Sequence, residues 1–272
     1  MTSAHIAFIG AGNMASSMIA GLIGQGHPAS LLSVAAPNEK QRGQLANRYD
    51  VTPWTDNNQA IAGAEIVVLA VKPQVMAEVC QQLAPSLAPQ QLVISVAAGI
   101  TTQTLQSWLG EQQPVVRCMP NTPAQLGVGI SGLFAAGNVS DQQKAMAEGV
   151  LNAVGTTLWL EDEAQMDAVT AISGSGPAYF FLLMEAMAAA GEQLGLSQRA
   201  ALQLTTQTAL GAARMALESG LTPEELRRRV TSPKGTTEAA INVLQNGGLA
   251  KLLEKATAVA AERSAQLSQT YR

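Results

Sequence analysis

The chain has 272 residues, with 16 Lys and Arg against 20 Asp and Glu, and its net charge of −4 offers no basic surface to nucleic acid. Hydrophobic residues make up 47%, alongside 24 Gly and 12 Pro, which is a globular profile and excludes a disordered or collagen-like chain. The only cysteines, Cys80 and Cys118, lack redox or metal spacing and the only histidines are His5 and His27, so neither a disulfide framework nor a metal site is expected.

From residue 5 to about residue 160, short runs rich in Ile and Val alternate with segments of helical period, the pattern of a parallel sheet wrapped by helices. Strands are predicted at residues 5–10, 31–36, 65–71, 91–96 and 115–119, with later ones near 128–134 and 156–160. Ile66-Val67-Val68-Leu69-Ala70-Val71 and Leu92-Val93-Ile94-Ser95-Val96 are apolar without alternation, as strands buried on both faces must be. Beyond residue 160 the composition turns to Ala, Leu, Met, Gln and Glu, and helices are predicted over residues 177–194, 198–219, 223–230, 236–245 and 248–268. The breaks between them, such as Gly195-Leu196-Ser197 and Asn246-Gly247-Gly248, carry stop and cap signals. Two domains are therefore expected, residues 1–161 and residues 162–272. The second is more apolar than such helices bury alone, so a subunit interface is expected there, the alternative being packing on the first domain only. The first residues lack the basic flank and apolar stretch of a secretion signal, and the most apolar later run, residues 177–184, is closed by Glu185. A cytoplasmic protein with no membrane partner is expected.

The first strand runs into Gly10-Ala11-Gly12-Asn13-Met14-Ala15, a G-x-G-x-x-A pattern followed by helical period from Ser16 to Ile23. Gly10 permits a tight strand-to-helix turn, and Gly12 lets the backbone approach a pyrophosphate. Asn13 and Met14 sit at the helix opening that faces the anion, and small Ala15 allows close helix–sheet packing. A tight turn in some other fold is the alternative, but strand, glycines, helix and second strand together favour a dinucleotide. The expected fold class is thus α/β, an N-terminal doubly wound Rossmann-like domain followed by an all-α C-terminal domain. After the second strand the chain reads Ala36-Pro37-Asn38-Glu39-Lys40-Gln41-Arg42, with no carboxylate where one would bind the ribose of NAD. Ala36 and Pro37 line that position and Asn38, Lys40 and Arg42 lie just beyond, so NADPH is favoured and NADH is possible. The alternatives are that Lys40 and Arg42 only solvate a helix face, or that Glu39 serves NAD from a longer strand.

Counting excludes several oxidoreductase designs. No His follows His27, each Tyr lacks a Lys four residues on, and neither Lys251 nor Lys255 is followed by Asn at the third position. Hydride transfer without an alcohol-deprotonating base points to a substrate that brings its own proton, such as a protonated imine.

The chain carries, in order, Phe8-Ile9-Gly10-Ala11-Gly12-Asn13-Met14, Ala70-Val71-Lys72-Pro73, Ser95-Val96-Ala97-Ala98-Gly99-Ile100 and Arg117-Cys118-Met119-Pro120-Asn121-Thr122-Pro123. Ser173-Gly174-Ser175-Gly176-Pro177-Ala178-Tyr179 and Thr231-Ser232-Pro233-Lys234-Gly235-Thr236-Thr237 follow. By these motifs the chain resembles the pyrroline-5-carboxylate reductases over nearly its whole length. The resemblance implies reduction of L-1-pyrroline-5-carboxylate, a cyclic imine, to L-proline with NAD(P)H, the last step of proline biosynthesis. It also implies a homodimer through the helical domain, open to higher assembly, with active sites completed at that interface. It maps a contact with the imine nitrogen onto Thr237, a contact with the substrate carboxylate onto Ser232, and an adenosine contact onto Asn58.

Each motif also has a physical reading. Ala70, Val71, Lys72 and Pro73 end a strand at the carboxyl edge of the sheet, where ligands of doubly wound folds bind, although a lysine there is also an ordinary solvated charge. Ala97, Ala98 and Gly99 leave room for a flat nicotinamide or for helix packing. Asn58 fits a plain helix cap equally well. Asn121, in a turn stiffened by two prolines, is a site-adjacent candidate. Residues 173–177 offer free N–H groups or simple capping at the opening of the first long helix. Gly235, Thr236 and Thr237 open a helix whose N–H groups and hydroxyls suit a carboxylate, with ordinary capping as the alternative. Many members of the family have Gly at the position of Lys234; if φ is positive there, Lys costs about 1–2 kcal/mol, and otherwise it adds a cation beside the carboxylate. The competing functions are reduction of another imine or a β-hydroxy acid on the same architecture, and non-catalytic sensing of NADP(H).

Overall fold

The computed structural model describes residues 4–271. Eight strands form one sheet: β1 (Ile6–Ile9), β2 (Leu32–Ala35), β3 (Thr52–Trp54), β4 (Ile66–Leu69), β5 (Leu92–Ser95), β6 (Val115–Met119), β7 (Gly129–Ala135) and β8 (Gly155–Trp159). Their order is β3-β2-β1-β4-β5-β6-β7-β8, and the first six run parallel. Every residue of β1, β2, β4 and β5 is buried, which requires cover on both faces of the sheet. That cover comes from α1 (Asn13–Gly24), α2 (Glu39–Tyr49), α3 (Asn57–Ile61), α4 (Pro73–Leu83), α5 (Thr102–Leu109) and α6 (Asp141–Leu151). Helix α1 packs beside α2 and α6, and α4 beside α3 and α5. Strand order reverses between β1 and β4, and doubly wound sheets take their ligands at the carboxyl ends of the strands flanking such a reversal.

Two features depart from the sequence expectation. The short edge strand β3 was not predicted, because three residues with Pro53 at the centre carry no strand signal, and proline is tolerated there since an edge leaves one side unpaired. The sheet is also not wholly parallel, for β7 runs antiparallel to β6 and β8 runs parallel to β7. Residues 120–128, which join β6 to β7, contain only the 3₁₀ turn Thr122–Leu126, whereas a parallel crossover takes about a dozen residues or more.

The chain divides into two compact units, one running to Ser175 and resuming at Ala260, the other Gly176–Val259. The compact boundary thus lies beyond residue 161 and leaves the end of the last helix with the sheet. The physical cause is that α7 (Gln165–Val169) and the π turn Thr170–Gly174 stay with the strands: Val169 lies over Gly132 of β7. The end of the last helix returns to the same unit, where Ser264 Oγ donates to Asp167 Oδ1 at 2.7 Å.

The second unit holds α8 (Gly176–Gln193), α9 (Gln198–Glu218), α10 (Pro223–Arg229), α11 (Thr236–Asn246) and the first part of α12 (Leu249–Thr270). These bounds follow the predicted helices within two residues at each end. Ser197 caps α9, and Thr222 with Glu225 forms a capping box on α10. Hydrogen bonds from the Thr222 backbone and hydroxyl hold the Glu225 carboxyl below its usual range. Of this unit only Gly176, Ala201 and Thr205 are buried, while Phe180, Phe181, Leu182 and Leu183 stand in succession on α8, each more than half exposed. Each such side chain gains about 1.5–3 kcal/mol on full burial, so these helices are built to be covered. Among the described residues no helix is long and apolar enough to cross a membrane.

Candidate active site

The carboxyl ends of β1 and β4 approach so closely that a Cβ on Gly10 would stand 2.5 Å from the Ala70 carbonyl oxygen, and Gly10 has φ +110. Packing alone therefore demands glycine at that position. Gly12 differs, since a Cβ there meets nothing within 4 Å. It is the N-cap of α1 and supplies no side-chain cap, so the first N–H groups of α1, beginning at Asn13 and Met14, lack side-chain partners from the cap. Ala15 is fully buried, as close helix–sheet packing requires.

At the end of β2, Ala36 is buried and Pro37 exposed, and Asn38 caps α2 by accepting from Gln41 N at 3.1 Å. Arg42 folds back so that its Nη1 donates to the Ala36 carbonyl oxygen, which sets a cation at the strand end. Helix α3 is capped by Asp56, whose Oδ1 accepts from Asn58 N at 2.8 Å. Asn58 is not the cap, and its own Oδ1 is buried with no hydrogen-bond partner among the described residues.

Ala70, Val71 and Pro73 are half-buried after β4, and exposed Lys72 is the N-cap of α4 without a side-chain capping bond. After β5, Ala97 is buried, Ala98 half-buried, and Gly99 has φ +76 with the backbone of Leu267 and Ser268 3.5 Å from where a Cβ would be. Asn121 Oδ1 accepts from Ile130 N at 3.0 Å, which ties the β6–β7 turn to β7 and commits that oxygen to the fold. The serine-glycine run also differs from expectation. Residues 170–174 form a π turn in which Ser175 N donates to the Thr170 carbonyl at 2.8 Å and Ser173 Oγ to the Val169 carbonyl at 3.0 Å. Those donors are spent within the turn rather than left free.

In the helical unit, Gly235 is the N-cap of α11 with no side-chain cap, and Thr236 and Thr237 are its first two residues. Ordinary threonine capping is therefore not what this sequence does. The hydroxyls of Ser232, Thr236 and Thr237 have no hydrogen-bond partner among the described residues, unlike Thr231 Oγ1, which donates to the Arg227 carbonyl at 2.6 Å. The Gly235 N–H is spent on the Ser232 carbonyl at 3.0 Å, and a side chain at Gly235 would strike Ser232 Oγ. Gly235 thus contributes space rather than a donor. Lys234 has φ +58, so the loop is not regular there, and its N–H donates to Glu238 Oε2 at 2.8 Å.

Sequence reading missed one cluster entirely. Glu163 accepts from Thr102 N and Thr102 Oγ1, both at 2.8 Å, and pairs at 3.1 Å with Arg117, which is 3% exposed. Arg117 and Glu163 line a cleft of about 640 Å³ between α5, α7 and the end of α12. Their separation in sequence leaves no local signal. The two cysteines offer no nucleophile: burial pushes both thiols up to about 12, with a weaker opposing hydrogen bond from Ser131 at Cys118.

Comparison with known proteins agrees with the fold. Residues 163–267 match the model of the pyrroline-5-carboxylate reductase dimerisation domain, and residues 5–99 match the model described as coenzyme F420-dependent NADP oxidoreductase. The chain is 57% identical over 269 residues to the pyrroline-5-carboxylate reductase of Pseudomonas aeruginosa, covering 99% of this chain and 98% of that protein. The solved pyrroline-5-carboxylate reductase of Coxiella burnetii superposes with a TM-score of 0.95 at 44% identity, covering 98% of this chain and 99% of that one. The Plasmodium falciparum pyrroline carboxylate reductase, solved with NADP bound, gives a TM-score of 0.87 at 28% identity, covering 98% and 99% of the two chains. The chain belongs to the pyrroline-5-carboxylate reductase family of oxidoreductases.

Proposed function

We propose that the chain reduces L-1-pyrroline-5-carboxylate to L-proline with NADPH, NADH serving less well. The cofactor fits the residues present. Gly12 leaves the N-terminus of α1 open to a pyrophosphate, the orphaned Asn58 Oδ1 is free for the adenosine side, and strand order reverses between β1 and β4. The nicotinamide is read against Val71, Lys72, Ala97, Ala98 and Gly99, with Asn121 bordering the site. Arg42, bent onto the Ala36 carbonyl with no carboxylate at Ala36 or Pro37, favours a 2′-phosphate and so NADPH. A nicotinamide held there would supply the hydride that reduces the C=N carbon.

The chain's own groups bind and orient the imine. The substrate carboxylate is held by Ser232 Oγ and by the N–H groups of Thr236 and Thr237 at the positive end of α11. Thr237 Oγ1 meets the ring nitrogen, which arrives protonated or takes its proton from water. Catalysis is then mainly orientation of two bound partners. The dimerisation-domain match and the uncovered apolar residues of α8 support a homodimer.

The observation that carries this reading is the unpartnered threonine pair at the uncapped start of α11. Thr237→Ala removes one transition-state hydrogen bond and lowers kcat/KM by about tenfold, the equivalent of ~1.4 kcal/mol. Ser232→Ala raises KM for the imine with a smaller change in kcat. An unaltered kcat/KM in Thr237→Ala refutes the assignment of that hydroxyl.

A further inference from the structure

The loop joining β5 to α5 carries Ala97-Ala98-Gly99, which have no polar side chain with which to fix themselves. It is nevertheless held at several points by groups that no step above uses. At its far end Glu163 takes Thr102 N on Oε1 and Thr102 Oγ1 on Oε2, each at 2.8 Å, and Arg117 holds Oε1 at 3.1 Å. At its middle Gly99 faces the last turns of α12, with the backbone of Leu267 and Ser268 3.5 Å from where its Cβ would be. Those turns are anchored in their own right. Buried Ser264 donates to Asp167 Oδ1 at 2.7 Å, and Gln74 Nε2, just after Lys72 and Pro73, donates to Tyr271 Oη at 3.2 Å.

We propose that the end of α12, pinned by Asp167, is a strut that positions the 97–99 segment and with it the nicotinamide half of the cofactor. The inference rests on the reading that this segment receives the nicotinamide. A loop without anchoring side chains opens locally at low cost, whereas hydride transfer tolerates misplacement of well under an ångström. Asp167 and Ser264 are positioning residues, acting through Gly99. Their bonds reach neither β2 nor α3, where the adenosine half is read, so their loss should be felt at one end of the dinucleotide only.

The test is calorimetric titration of the full-length, assembled protein with NADPH and, separately, with adenosine 2′,5′-bisphosphate, which carries only the adenosine end. Asp167→Ala should weaken NADPH by about fivefold, the loss of one ordinary hydrogen bond, and leave the fragment within about twofold. Asp167→Asn keeps an acceptor for Ser264 and should restore NADPH affinity. If Asp167→Ala does not fold, Ser264→Ala, which deletes a single hydroxyl, carries the same expectation. Unchanged NADPH affinity, or equal losses for both nucleotides, overturns the strut while leaving the cofactor reading intact. Failure of the unmutated protein to bind either nucleotide overturns the cofactor reading itself and this inference with it.

Discussion

Lys234 stands at φ +58 in the loop before α11. An L-residue in that region costs about 1–2 kcal/mol, a cost glycine escapes. The Lys234 side chain is exposed and forms no ion pair among the described residues, and its N–H bond to Glu238 is one that glycine keeps. Against the relief of strain stands the larger freedom of glycine in the unfolded chain, about 0.5–1 kcal/mol. Lys234→Gly should therefore stabilise the protein by about 0.5–1 kcal/mol net, or a Tm rise of about 1–4 °C for a chain of this size. Lys234→Ala keeps the strained φ while removing the same charge, and should gain nothing. Thermal unfolding of the three proteins at one fixed concentration makes the comparison, because assembly itself shifts Tm. Should alanine gain as much as glycine, charge rather than backbone strain is at work and the reasoning fails.

Two further outcomes follow from other parts of the molecule. Arg42→Ala deletes the cation beside the end of β2, and should raise KM for NADPH by about tenfold while changing KM for NADH little, as steady-state titration of each nucleotide will read. An equal rise for both would mean that Arg42 supports only the local fold. Cys80 and Cys118, buried and with thiols pushed up to about 12, should resist alkylation in the native protein at mildly alkaline pH and react fully once it is unfolded. Intact-mass measurement decides, and rapid native labelling of either would contradict the burial.

The parts of this fold that the sequence displays are those dictated locally. β1, β4 and β5 announce themselves because strands buried on both faces must be apolar throughout, and the helical unit because its breaks coincide with Gly195, Gly220 and Gly248. The Gly10–Ala15 turn and the 232–237 loop are legible for the same reason, since their chemistry is carried by consecutive backbone groups. Strand direction is different: nothing in Gly129–Ala135 or Gly155–Trp159 encodes polarity, and the short β6–β7 connection decides it. Side-chain assignments within motifs were also out of reach. Whether Asp56 or Asn58 caps α3, or whether Asn121 turns to β7, depends on rotamers that residue order does not specify. The Glu163, Arg117 and Thr102 cluster joins segments distant in the chain and becomes visible only when the sheet and α7 are assembled.

The central claim is tested most directly by following the loss of reduced-nicotinamide absorbance with synthetic pyrroline-5-carboxylate, with NADPH and NADH in parallel and the product identified by chromatography. The account predicts L-proline formed in step with nicotinamide oxidised, and a higher kcat/KM with NADPH than with NADH. Absence of proline with both nucleotides, in a protein that binds them, would contradict it.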